Sequence, residues 1–190
     1  MRRLPKYKAD ISYIIGWDEF KRLFNTATTY VDKSVVTVCW ITGARPAEIM
    51  ELRKRDVKIG ESIIEFHLKT MKLGNKGKFI VRSRTLRIRT DTNKTHIRVL
   101  GKHLKRLKDD DTKLFRMSRK TFNNIIERLG YDALNVKICP YNFRHSRMTL
   151  LAEMGKGRGE LMRFKGARSE RSVYAYDHAR KVDYDVDVDI

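Results

Sequence analysis

The sequence predicts an α+β domain, mainly helical, with a small antiparallel sheet on one side. Three observations predict it. Several segments repeat apolar residues at helical spacing, Ser118–Leu129 most clearly, through Phe122, Ile125, Ile126 and Leu129. One segment, Ser62–Arg89, instead alternates: Ile64, Phe66 and Leu68 against Glu65, His67 and Lys69, with a glycine-rich turn at 73–77. The 190 residues are 41% hydrophobic, enough for the core of one domain.

The elements follow in order. Met1–Lys8 is basic, and residues 1–10 read as an arm. Trp17–Tyr30 reads as a helix, with Trp17, Phe20, Phe24 and Ala27 on one face and Asp18 and Glu19 in the first turn. Lys33–Ile41 continues as a buried helix that Gly43 ends. Pro46 fits the first turn of another, followed by Glu48, Ile49 and Leu52. After the hairpin, Asn93–Lys108 is helical on Ile97, Leu100, Leu104 and Leu107. Gly130 is read as the cap of Ser118–Leu129, and Gly155 as the cap of Asn142–Met154. Glu160–Lys165 and Ser172–Arg180 are shorter helices. Residues 182–190 alternate Val, Tyr or Ile with Asp, a strand pattern on an acidic tail. The expected organisation is therefore an arm at 1–10, one domain at 11–181 and a tail at 182–190.

Charge narrows the partner. Lys and Arg number 42 against 23 Asp and Glu, a formal charge of +19, which reads as a binder of polyanions. From His67 to Lys108 there are 14 Lys or Arg and one acid, Asp91, interleaved with β-forming residues. Cys39 and Cys139 read as core thiols, which suits a reducing compartment. The longest apolar stretch, Val35–Ile41, is far too short to span a bilayer. There is no zinc spacing and no P-loop. Asp109–Asp111 reads as a solvated loop, and 155–159 as a flexible, basic glycine-rich loop rather than a nucleotide cradle.

Three stretches carry chemistry: Thr42–Ile49, Tyr141–Ser146 and Gly166–Tyr176. They offer two arginines and a tyrosine, the set that phosphodiester cleavage without metal requires. Two guanidiniums hold a phosphoryl transition state bidentately and do not titrate. Arg45, beside a helix start, gains from the helix dipole; a salt bridge to Glu48 is its plain alternative. Tyr141 and Arg144, three apart, share a helix face that His145 adjoins.

Thr42–Val57 has the pattern Thr-Gly-x-Arg-x-x-Glu-Ile-x-x-Leu-x-x-x-Asp-Val. With Arg144-His145 and a tyrosine ten residues after Gly166, it resembles the catalytic domain of tyrosine recombinases, the phage-type integrases, from about Ile11 to His178. The resemblance implies their catalytic fold and a 3′-phosphotyrosyl intermediate formed by Tyr176, with Tyr174 as a packing residue and Tyr184 in the tail as competitors. It implies Arg45 and Arg144 as phosphate clamps, Tyr141 in the place of a histidine, and a hairpin lysine as general acid: Lys69, with Lys72 and then Lys94 behind it. Lys72, Lys76, Lys78, Arg82, Arg84, Lys94, His145 and Arg168 are the expected DNA contacts. No metal or cofactor is implied. The partner is double-stranded DNA, bound by a homo-oligomer, a tetramer, in the cytoplasm and without a membrane.

The chain departs from the family twice. Tyr-x-x-Arg replaces the usual His-x-x-Arg, as in some archaeal integrases, and Ala167 stands where His or Trp usually donates a hydrogen bond. A phenol with a pKa of about 10 is a poor base near neutral pH. The implied function is integration or excision of a mobile element, or dimer resolution. The alternatives are a DNA-binding protein on this fold that does not cleave, and DNA relaxation of the type IB topoisomerase kind. Members usually carry an N-terminal DNA-clamping domain; here only a short basic arm precedes the catalytic region.

Overall fold

A computed structural model describes residues 13–73, 79–91, 93–167 and 169–179, with backbone alone at 70–73, 79–82, 178 and 179. The expected arm, the hairpin turn with Lys76 and Lys78, Arg168 and the acidic tail lie outside the described residues. The chain divides into two compact units, Met1–Ser146 and Arg147–Ile190, the division falling within one helix.

The first unit begins with α1 (Trp17–Thr26), α2 (Tyr30–Thr42) and α3 (Pro46–Glu51). The expected Trp17–Tyr30 helix is broken at Ala27, where the backbone turns extended. The cause is local: Thr29 accepts a bond from Asp32 N at 3.0 Å and starts α2 as its N-cap. Gly43, at φ 51°, ends α2 as expected. A 3₁₀ turn at Lys54–Asp56 leads into β1 (Val57–Ile59), a strand not expected from the sequence. β2 (Ile63–Leu73) and β3 (Phe79–Arg89) form the expected hairpin, and the sheet order is β1-β2-β3, all antiparallel. Ile64, Phe66 and Leu68 face the core, and Leu86 lies opposite Phe66. Asp109–Asp111 lies in an exposed loop beside the 3₁₀ turn, where Asp110 pairs with Lys54 at 3.7 Å.

α4 (Thr95–Lys105) packs on α2, and α5 (Arg119–Leu134) packs on α1. Trp17, Phe20, Phe24, Trp40 and His96 form one aromatic cluster, with Phe20 and Trp40 stacked at 4.9 Å. Gly130 does not cap α5. The helix runs on to Asn135, which takes the left-handed cap at φ 56°. Gly130 is instead an interior position pressed by Ile138 and Val136. α6 (Pro140–Glu153) crosses the division of the units.

The second unit continues with α7 (Arg158–Lys165), capped by Gly166 at φ 64°. The expected helix at 172–180 is two short 3₁₀ turns, Glu170–Ser172 and Tyr174–Ala179. Glycines 155–159 run directly into α7, with Gly157 as its N-cap. Met148, Ala152, Leu161, Val173 and Tyr176 make the core of this unit. Cys39 is buried, Cys139 half-buried, and both are free. No helix among the described residues is long and apolar enough to cross a membrane.

Candidate active site

The turn between α2 and α3 organises the basic groups of the first unit. Thr42 folds its hydroxyl back to Val38 O at 2.6 Å and accepts Ala44 N at 3.1 Å. That hydroxyl satisfies both sides of the turn, so Gly43 can swing into the left-handed region that a side chain disfavours. The Gly43 carbonyl, buried in this turn, receives Arg144 Nη1 at 2.8 Å. Arg144 is 6% exposed.

Arg45 is the N-cap residue of α3, and Pro46 occupies the first helical position, where its missing N–H costs nothing. Glu48 closes a capping box, accepting Arg45 N at 2.9 Å, and its other oxygen receives Arg45 Nη1 at 3.0 Å. Arg84 reaches the same carboxylate from β3 with both terminal nitrogens, at 2.8 and 2.9 Å. Glu48 is 1% exposed. The cluster of three carries one net positive charge, presented at a helix N-terminus.

The start of α6 is fixed from the segment before α1. Asn142 accepts Cys139 N at 2.8 Å and donates to Tyr13 O at 3.2 Å. Ser146 accepts Ile15 N at 2.7 Å and donates to Asn142 O at 2.7 Å. Neither Asn142 nor Ser146 was singled out from the sequence for this role. No sequence signal set them apart, since Arg144, His145 and Arg147 beside them are polar as well. Tyr141 is exposed and His145 half-buried on the same helix.

The structure thus brings Arg45, Arg84 and Arg144 to one turn. It does not bring Lys69 there. Leu68 pairs with Arg84 and Lys69 with Ser83, so Lys69 stands on the opposite face of the sheet. There it lines a polar cavity of about 400 Å³ with Asp56, Lys58, Glu65, His67 and Arg87. Its Nζ is 3.9 Å from Asp56. Lys72 and Arg82 lie within β2 and β3, opposite Ile80 and Thr70. Lys94 is the N-cap residue of α4 and sits 5.7 Å over the Trp17 ring.

In the second unit, Tyr176 lies in the last 3₁₀ turn, 6% exposed in the Met148–Leu161–Val173 cluster, with Lys165 Nζ 5.0 Å from its ring centre. Tyr174, expected to pack, is 49% exposed and stacks on Arg158, which itself pairs with Asp177 at 2.7 Å. Tyr174 is therefore not the packing residue expected; of the two tyrosines it is Tyr176 that packs. The reason is their spacing: two residues apart on a 3₁₀ turn of three residues, they cannot share a face.

A sequence profile of the phage integrase family matches residues 15–182. A search of curated protein sequences returns no match. Among solved structures, the crystal structure of XerA recombinase matches with a TM-score of 0.67 at 24% identity, over 92% of this chain and 63% of that one. XerH site-specific recombinase, in a pre-cleavage complex with its difH substrate, matches at 0.65 and 18% identity, over 90% of this chain and 51% of that one. The catalytic domain of bacteriophage HP1 integrase matches at 0.54 and 17%, over 88% of each chain. The chain therefore spans less than two thirds of the length of the XerA and XerH chains, and at these identities the likeness is one of fold.

Proposed function

Because the chain belongs to the phage integrase family, we propose that it is a site-specific DNA recombinase that cleaves and rejoins DNA through a 3′-phosphotyrosyl bond. The observation that carries the reading is the Gly43–Arg45 turn, which fixes Arg144 through one carbonyl and, two residues on, fixes Arg45 on Glu48. Two preorganised guanidiniums are what a pentavalent phosphoryl transition state needs.

In this reading the Tyr176 hydroxyl attacks the scissile phosphorus and its proton passes to His145 or water. The 5′ oxygen leaves and takes a proton from Lys69. The bond energy stays in the phosphotyrosyl ester for the return step. Two rearrangements are required on DNA. The Tyr174–Ala179 turn must release the Tyr176 ring, and the hairpin must carry Lys69 away from Asp56. The +19 charge supplies sequence-independent affinity for the duplex. Double-stranded DNA is the partner, a tetramer on DNA the working assembly, and integration or excision of a mobile element the outcome. The rival is DNA binding without cleavage, which Tyr141 in the histidine position favours.

The test is trapping on a nicked suicide duplex. Wild type forms a covalent adduct, Tyr176→Phe forms none, and duplex affinity is nearly the same in both. An adduct that persists in Tyr176→Phe sinks the assignment of the nucleophile; no adduct with wild type favours the rival.

A further inference from the structure

We infer that Arg84 is a positioning residue that holds Arg45 ready through Glu48, and not one of the phosphate contacts of the basic hairpin. The inference rests on the reading of Arg45 as a phosphate clamp.

The geometry begins in the sheet. Arg84 pairs across the hairpin with Leu68, a residue with no exposed surface, so Arg84 issues from the core-facing side of β3. Its neighbours in the register, Ser83 and Thr85, lie on the other face with Lys69 and His67. A hairpin cation meant for DNA has no reason to point toward the helices. Arg84 does so, and makes a two-pronged contact, Nη1 to Oε1 at 2.8 Å and Nη2 to Oε2 at 2.9 Å of Glu48. A planar fork matched to a planar carboxylate is the arrangement that only arginine supplies.

The charge arithmetic gives the contact its purpose. Glu48 also binds Arg45, through the backbone N–H and Nη1. With Glu48 and Arg45 alone, the pair would be neutral, and the buried carboxylate would draw the Arg45 guanidinium into a fork of its own. Arg84 satisfies both carboxylate oxygens and cancels the carboxylate charge. Arg45 is then held by one nitrogen, its orientation set and its positive charge left over for a phosphate. Arg84 touches neither DNA nor the reacting atoms in this scheme; it acts through Glu48.

The test compares wild type, Arg84→Lys and Arg84→Gln in the full chain. In the free protein, NMR follows exchange of the Arg45 guanidinium N–H protons, assigned by their loss in Arg45→Lys. Slow exchange in wild type should become about tenfold faster or more in Arg84→Gln, with Arg84→Lys in between. On a nicked suicide duplex, single-turnover cleavage should fall about tenfold or more in Arg84→Gln, since small displacements of a clamp are costly. Duplex affinity and its salt dependence should hold. A phosphate contact behaves oppositely: affinity drops, and the salt slope falls by about one. That result, or unchanged Arg45 exchange, overturns the inference. If wild type does not cleave, the proposed function fails while the exchange measurement still decides the role of Arg84. If Arg84→Gln does not fold, Arg84→Lys carries both measurements, because an ammonium keeps the charge and loses the fork.

Discussion

Arg144 donates from Nη1 to the carbonyl of Gly43 at 2.8 Å, across 101 residues of chain. A backbone carbonyl is a stiff acceptor, so the position of Arg144 depends on the conformation of Gly43.

Gly43→Ala is therefore expected to act twice. A side chain at φ 51° costs about 1 kcal/mol in the left-handed region, which urea denaturation will show. The carbonyl also shifts, so single-turnover cleavage should slow by more than the lost stability accounts for. A variant as stable and as fast as wild type would show that the turn does not set Arg144.

The lysine assignment has a chemical test. A substrate with sulfur in the 5′ bridging position leaves without a proton. Lys69→Ala should cleave it about as fast as wild type and fail on the oxygen substrate, a loss of about a hundredfold or more for a missing general acid. Rescue of Lys72→Ala instead would move the role three residues along β2.

Two helical glycines should respond with opposite signs. Alanine at Gly101, in α4, would meet only Ile59 Cδ1 at 3.7 Å, an ordinary contact, so Gly101→Ala should stabilise by about 0.5–1 kcal/mol. Alanine at Gly130 would meet Ile138 Cγ1 at 2.5 Å and the Val136 carbonyl at 2.7 Å. The helix propensity gained is about 1 kcal/mol, but overpacking costs about 1–3 kcal/mol, and the backbone carbonyl cannot step aside cheaply. Gly130→Ala should destabilise, as read from denaturation midpoints.

His96 gives a pH dependence of known sign. Burial among Trp17, Phe20 and Phe24, with Lys94 nearby, pushes its pKa down from 6.5 to about 4. The unfolded chain takes up this proton at higher pH than the folded one. The stability contributed by His96 is thus whole above pH 6.5 and is lost as pH falls toward 4, at most about 3 kcal/mol. His96→Phe should flatten the stability profile across that window. A profile parallel to wild type between pH 7 and 4 would contradict the assignment.

Local pattern carried much of the architecture. The hairpin was legible because Ile64, Phe66 and Leu68 alternate over a long run. β1 was not, because three residues show no period and its pairing with Ile64–Phe66 is settled by the sheet. The break between α1 and α2 was written in Thr29 and Asp32, but the helical spacing of Trp17 to Ala27 ran across it. Gly130 looked like a cap because a glycine after an apolar helical face usually is one; the close approach of Ile138 comes from a later part of the chain. In the site, Arg45 and Arg144 were visible in their motifs. Of what holds them, Glu48 was legible three residues after Arg45; the Gly43 carbonyl on Arg144, and Arg84 reaching that same Glu48 from a strand, are contacts chosen by the fold.

The contrast between Tyr174 and Tyr176 has a practical side. A reagent that nitrates or iodinates accessible phenols meets Tyr174 and Tyr141 at the surface, while the Tyr176 ring is screened by Met148, Leu161 and Val173. Labelling of the free protein would therefore mark bystanders and spare the proposed nucleophile. Only a footprint repeated on DNA, in which Tyr176 gains reactivity, would register the ring leaving its shelter.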